Sequence, residues 1–191
     1  WDRATGEPVG PGLGWQDLRT IGECFALKAE GYRMPPNLSA TKVKHLLDQH
    51  DPDRARDLAV GTVDTWIAWH LSAGAAHVTD ATNAHLTAMA AHDGSGWDER
   101  LLGLLGVDHR HLPAVVDSSG VVAEAAALDG APPIAGLVGD QQASLIGQGC
   151  LHPGVAKITF GTGGMLDTVV EARPGFEIGG HGSVPLIGRR L

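Results

Sequence analysis

Gly139-Asp140-Gln141-Gln142-Ala143-Ser144-Leu145-Ile146-Gly147-Gln148 follows the apolar run Pro133-Ile134-Ala135-Gly136-Leu137-Val138 and precedes Lys157-Ile158-Thr159-Phe160-Gly161-Thr162-Gly163-Gly164. The first run reads as a buried strand ending in glycine, with a helix opened by an acid behind it. The last reads as a strand feeding a tight glycine turn. A carboxylate at a strand's end, one short helix upstream of a loop rich in free backbone N–H groups, suits phosphoryl transfer. That chemistry needs an acceptor for a hydroxyl proton and a cradle for phosphate oxygens.

Working outward, the chain before residue 139 carries helical periodicity. Val9 to Trp15 reads as a short strand. Thr20 is placed to cap a helix with Ile21, Cys24, Phe25 and Leu27 on one face, stopped by Gly31. After the rigid Met34-Pro35-Pro36 connector, Ser39 caps a second helix with Val43, Leu46 and Leu47 at helical spacing. Asp51-Pro52 opens a third, to about Val60. Thr62 to Leu71 is a fourth, turning Val63, Trp66, Ile67 and His70 to the core. Val78 to Met89 begins as a polar loop and ends helical, and Asp98 to Leu105 is amphipathic and stopped by Gly106. Val115 to Ala123 is a strand, and Leu128 to Pro133 a turn. From Gly154 the texture changes to glycine and short strands at Ala156–Phe160, Met165–Val170 and Gly182–Leu186, so a boundary falls near 135–150.

Composition excludes several classes. The chain has 191 residues, 43% hydrophobic and 19% charged, as in ordinary globular proteins. A formal net charge of -8 argues against a nucleic-acid partner. No apolar stretch is long enough to span a bilayer, and no signal-peptide pattern opens the sequence. Cys24 and Cys150 suggest neither a disulfide framework nor a metal pair, and read as core thiols in a reducing, cytoplasmic setting. Trp1 at the start and Leu186 to Leu191 at the end suggest a piece of something longer.

Read by residue type alone, each candidate has two meanings. Asp140 is a helix cap or a general base, and spacing admits both. Gly161-Thr162-Gly163-Gly164 is a structural hairpin or a phosphate loop, and it is neither a Walker loop nor a GxGxxG fingerprint. Thr79-Asp80-Ala81-Thr82-Asn83 is an active-site loop or plain Asx and Thr turn chemistry. Despite 10 histidines, no HExxH pattern exists and no metal site is expected. Ser95 does not sit in a GxSxG elbow. Trp66 and Trp69 serve core or domain packing.

Together the segments Trp15-Gln16-Asp17-Leu18-Arg19-Thr20, Ser39-Ala40-Thr41-Lys42-Val43-Lys44, Gly61-Thr62-Val63-Asp64-Thr65-Trp66, Val78-Thr79-Asp80-Ala81-Thr82-Asn83-Ala84, Gly139-Asp140-Gln141-Gln142-Ala143 and Lys157-Ile158-Thr159-Phe160-Gly161-Thr162-Gly163 resemble the FGGY carbohydrate kinases in family order. Within that family the glycerol kinases are the nearest pattern. The resemblance implies part of an α/β, actin-like and ribonuclease-H-like ATPase fold. Residues 1–138 would form the later part of the N-terminal, substrate domain, and 139–191 the start of the C-terminal, nucleotide domain. It implies ATP and Mg²⁺ as cofactors, a small polyol such as glycerol as substrate, and neither nucleic acid nor membrane as partner, with a homo-oligomer left open. By resemblance Asp140 is the catalytic base, Asp140 and Gln141 contact the polyol, and Trp15 walls its carbons. Gly161, Thr162 and Gly163 hold phosphate. Leu18, Asn37, His45 and Met165 depart from the glycerol kinase pattern. The first phosphate hairpin, the Arg-Glu pair gripping the polyol and the adenosine region fall outside these residues. The alternative is a non-catalytic, truncated or decayed kinase-like protein that only binds, or associates with an intact kinase.

Overall fold

The computed structural model describes residues 1–91, 96–161 and 163–170. Six helices, a short 3-10 turn and six strands follow in chain order among them. Three helices come first: α1 (Ile21–Ala29), α2 (Ala40–His50) and α3 (Val63–Leu71). Then come β1 (Val78–Asp80), α4 (Ala81–Leu86), α5 (Glu99–Leu105) and the 3-10 turn His109–His111. Strands β2 (Ala114–Val116), β3 (Ser119–Glu124) and β4 (Pro133–Gly136) lead into α6 (Asp140–Gly147), and β5 (Ala156–Phe160) and β6 (Gly164–Thr168) form a hairpin.

The core lies among α1, α2 and α5. Leu27, Leu47, Leu101, Leu102 and Leu105 are all nearly inaccessible and pack with Leu58. α5 is written cleanly into the sequence. The Asp98 side chain accepts from the amide of Leu101 at its start, and Gly106 closes it at φ 63. That left-handed conformation suits glycine. The α1 cap works differently, because the Thr20 hydroxyl meets Thr41 Oγ1 at 2.8 Å and joins α1 to α2 instead of closing its own helix. Cys24 and Cys150 are buried free thiols, as expected.

Four local expectations need correction. Val9 to Trp15 forms no strand: Gly10, Pro11, Gly12 and Gly14 supply too few side chains and one missing donor. Residues 52–60 form no helix. The Asp51 carboxylate instead accepts the amides of Ala55 and Arg56, while Arg54 turns to φ 55 and Leu58 bridges to Asp2. On α3 the buried face is Thr65, Ala68 and Trp69, whereas Val63 and Ile67 are exposed. The reason is aromatic: Trp1 stacks edge-on against Trp66 at 5.0 Å and lies 5.8 Å from Trp69, so the helix turns its indoles inward. Finally, residue 78 opens a strand and not a loop, with β1 pairing parallel to β2 in the register Val78↔Ala114 and Asp80↔Val116.

The Trp cluster holds a histidine with a definable tautomer. His77 lies 5.4 Å from the Trp1 ring, and its Nδ1 is 3.0 Å from Arg3 Nη1. A guanidinium only donates, so Nδ1 accepts and the ring proton sits on Nε2, which donates to Val60 O at 2.9 Å. Burial, with help from the neighbouring Arg3 charge, lowers this histidine from 6.5 to about 4.

The run before Asp140 also differs from expectation. It pairs antiparallel with β3, with Ala123↔Ile134 and Glu124↔Pro133 in register. Among the described residues this ribbon is half open, with Ala135 and Gly136 exposed. Hydropathy alone signals burial, but it does not say which part of a protein supplies the cover. Beyond residue 147 the expected strands appear as the β5–β6 hairpin, Ala156↔Thr168 through Phe160↔Gly164. The strand expected at Gly182–Leu186 lies outside the described residues.

Candidate active site

Helix α6 begins at Asp140, and Gly139, not Asp140, is its N-cap. The Asp140 carboxylate is exposed in the first turn. Its Oδ1 accepts from the backbone amide of Gln141 at 2.7 Å, and Oδ2 takes no hydrogen bond among the described residues. A carboxylate fixed by one oxygen and open at the other is suited to receive a proton from a docked hydroxyl.

Gly139 sets the position of that carboxylate. Its amide donates to Thr82 Oγ1 at 2.7 Å, and a Cβ there would stand 2.6 Å from Gln142 Oε1 and 3.4 Å from Thr82 Oγ1. A side chain there would displace the end of the Gln142 side chain. Thr82 belongs to α4, whose cap is Asp80. The polar stretch 79–83 thus has the predicted Asx-type geometry, with Asp80 accepting the amides of Thr82 and Asn83. It is no surface loop, since Thr79, Asp80 and Thr82 are all buried. Nearby, Asp64 accepts from Thr79 Oγ1 at 2.7 Å and from Thr62 Oγ1. Burial raises the Asp64 carboxyl, the adjacent Asp80 charge adds to the rise, and the two threonine hydroxyls oppose it.

Gln141 is held from the hairpin. Lys157, 2% exposed, donates to Gln141 Oε1 at 2.8 Å and Gln141 O at 3.3 Å, and pairs with Asp167 at 3.0 Å. A lysine ammonium has donors only, so it fixes the amide oxygen of Gln141 toward itself. The Nε2 donors remain for other partners. Lys157 is the site residue that sequence reading passed over, because a lysine in a strand ordinarily counts as solvated.

Trp15 comes from the loop before α1. Its indole is 60% exposed, and no hydrogen bond joins it to Asp140 or Gln141 among the described residues. Lys42 ties its segment down instead. This buried lysine donates to the carbonyls of Pro36 at 2.8 Å, Leu38 at 3.4 Å and Trp15 at 3.5 Å, so the residues flanking Asn37 are drawn toward the Trp15 loop. Burial lowers the Lys42 ammonium below its ordinary value, with Asp17 opposing. Gly161 and Gly163 form the β5–β6 turn, the amide of Gly161 donating to Gly163 O at 3.1 Å. A Cβ on Gly163 would meet nothing within 4 Å. Thr162 lies outside the described residues.

The class of protein follows from comparison with known families. The model for the N-terminal domain of the FGGY family of carbohydrate kinases matches residues 1–147. The chain belongs to that family. A glycerol kinase of Aromatoleum aromaticum is 46% identical over 190 residues, which is 91% of this chain and 38% of that protein. One from Nitratidesulfovibrio vulgaris is 44% identical over 191 residues, with the same shares. The chain therefore spans about two fifths of the length of these relatives. Among solved structures, Plasmodium falciparum glycerol kinase with ADP aligns with a TM-score of 0.77 at 27% identity, covering 87% of this chain and 36% of that one. Ligand-bound xylulose kinase from Lactobacillus acidophilus aligns at 0.74 and 19% identity, over 88% of this chain and 37% of that one, a likeness of fold. The fold is accordingly part of the actin-like ATPase fold of the FGGY kinases, as expected.

Proposed function

We propose that this chain is the central segment of an ATP-dependent polyol kinase, acting on glycerol or a polyol of similar size. The observation that carries the reading is the Asp140 carboxylate, open at Oδ2 and seated at a helix start that glycine and a buried threonine hold from behind. In this reading Asp140 takes the proton of a primary hydroxyl as its oxygen attacks the γ-phosphate in line. Gln141, its oxygen held by Lys157, donates through Nε2 to a polyol hydroxyl. Trp15 walls the polyol's carbons.

Gly161 and Gly163 suit an approaching phosphate, since the space beside Gly163 is open. Among the described residues no three His, Cys, Asp or Glu side chains gather to hold a metal. The Mg²⁺ of such a reaction would offset charge on the transferred phosphate. Residues 1–138 would close the substrate domain and 139–191 open the nucleotide domain. Asn37 and Met165, both exposed, offer an amide and a thioether in place of aromatic wall. Weak discrimination between glycerol and larger polyols follows.

The non-catalytic reading draws on the share of the relatives covered, since phosphoryl transfer is mostly positioning and needs both domains. The two readings separate in one assay of ADP release with glycerol and Mg-ATP. The chain alone is expected to show no turnover, and the full-length polypeptide that carries it is expected to be active. In that polypeptide Asp140→Asn lowers kcat by about 10²–10⁴-fold while polyol affinity persists. Loss of less than about half the activity would make Asp140 structural and sink the base assignment.

A further inference from the structure

We infer that the buried pair Asp80 and Thr82 is the positioning device for the base, a role that rests on the kinase reading of Asp140. Asp80 and Thr82 are both 0% exposed. Asp80 collects five hydrogen bonds: from Thr82 N at 3.1 Å, Thr82 Oγ1 at 2.9 Å, Asn83 N at 3.0 Å, Asn83 Nδ2 at 2.8 Å and Ser118 Oγ at 2.5 Å. Two of these donors are backbone amides and one a side-chain amide, none of which can accept. The three amides therefore point their hydrogens at Asp80, and an ionised carboxylate, having no hydrogen to give, accepts from the two hydroxyls as well.

That fixes the polarity of Thr82. A hydroxyl has one hydrogen, and here it points at Asp80. Its lone pairs are then presented to Gly139, whose amide donates at 2.7 Å. Gly139 is the residue before Asp140, and consecutive Cα atoms stand about 3.8 Å apart across a rigid peptide. Holding the Gly139 amide thus holds the start of α6 and, one residue on, the base. Ser118 adds a second tie, since its carbonyl accepts the amide of Leu137 at 3.2 Å in the run that leads into Gly139. A single buried carboxylate at the end of β1, the cap of α4, thereby governs both approaches to Asp140, although it lies 60 positions earlier in the chain.

The chemistry predicts an asymmetry between variants. Thr82→Ser keeps the hydroxyl and its polarity. Thr82→Val keeps the shape but leaves the Gly139 amide without its acceptor. Asp80→Asn places an amide beside the Thr82 hydroxyl, which is then free to turn its hydrogen toward Gly139. In the full-length polypeptide, Thr82→Val is expected to lower kcat about 10–100-fold with KM for the polyol changed less than about threefold, the pattern of a displaced base. Thr82→Ser should return kcat to within about threefold of wild type.

The second readout is amide hydrogen exchange at Gly139 in this chain, with the Asp98-capped amide of Leu101 as internal reference. Exchange at Gly139 should quicken by at least about tenfold in Thr82→Val and recover in Thr82→Ser, while Leu101 stays constant. A Thr82→Val enzyme within twofold of wild-type kcat overturns the inference, as does unchanged Gly139 exchange. If the wild-type polypeptide phosphorylates no polyol, the kinase reading fails by that result alone. The exchange measurement still decides whether Thr82 anchors the start of α6.

Discussion

Behind Gly139 the helical body closes over its side chains: Leu47, Leu58 and Leu101 are at most 2% exposed, and the polar groups reaching α6 are buried with them. In front, the β5–β6 hairpin leaves Phe160 90%, Leu166 68% and Ile158 60% exposed, and reaches Gln141 through the buried Lys157. The body positions by many weak, mutually satisfied contacts. The hairpin positions by one charge. A site framed this way has a closely packed back and a front whose apolar face the described residues leave uncovered.

Leu101→Ala offers the largest effect with which to break this comparison. It is expected to cost about 2–5 kcal/mol in urea unfolding of the chain, because a cavity opens in a core that cannot relax around it. A cost below about 1 kcal/mol would mean the body is as loosely packed as the hairpin.

Acid titration sharpens it next. His77 takes a proton near 6.5 when unfolded but only near 4 when folded. Its folded pKa is depressed, so the neutral ring's contribution is complete above about 6.5 and is lost as pH falls toward 4. Allowing for solvent screening, about 2–3 kcal/mol disappears over that window. Unfolding curves at both ends should show His77→Gln losing markedly less than wild type. An equal loss in both would place the acid sensitivity elsewhere.

The smallest effect belongs to the hairpin. Phe160→Ser should change the unfolding free energy of the chain by less than about 0.5 kcal/mol, as surface substitutions do. A cost above about 1 kcal/mol would show that something in the chain covers this face.

How far the sequence foretold all this depended on where each segment finds its partners. α5 was fully legible, since Asp98, the leucines and Gly106 are local signals that the fold obeys. The strand at 156–160 and the helix after Gly139 were legible for the same reason. β1 was not, because Thr79 and Asp80 are polar yet buried, satisfied across long separations by Asp64 and Ser118 respectively. The absent helix after Asp51 has a local cause instead, since its carboxylate accepts the Ala55 and Arg56 amides and closes a turn. The face of α3 departs from the expected one because Trp1 draws Trp69 inward with Trp66, which leaves Val63, Ile67 and His70 exposed. Family resemblance named Asp140 and Gln141. Only geometry showed that Thr82 and Lys157 hold them.

The tryptophans divide the molecule in optical terms. Trp1 lies 5.0 Å from Trp66 and 5.8 Å from Trp69, close enough for the three indoles to share excitation, and Trp97 donates to Pro113 O at 3.1 Å. Trp15 alone stands 60% open to water. Its emission is therefore the component that iodide quenches and a docked ligand would shift, while the clustered indoles dominate the near-ultraviolet dichroism. One chain carries its own spectroscopic reference and its own reporter, separated by solvent access alone.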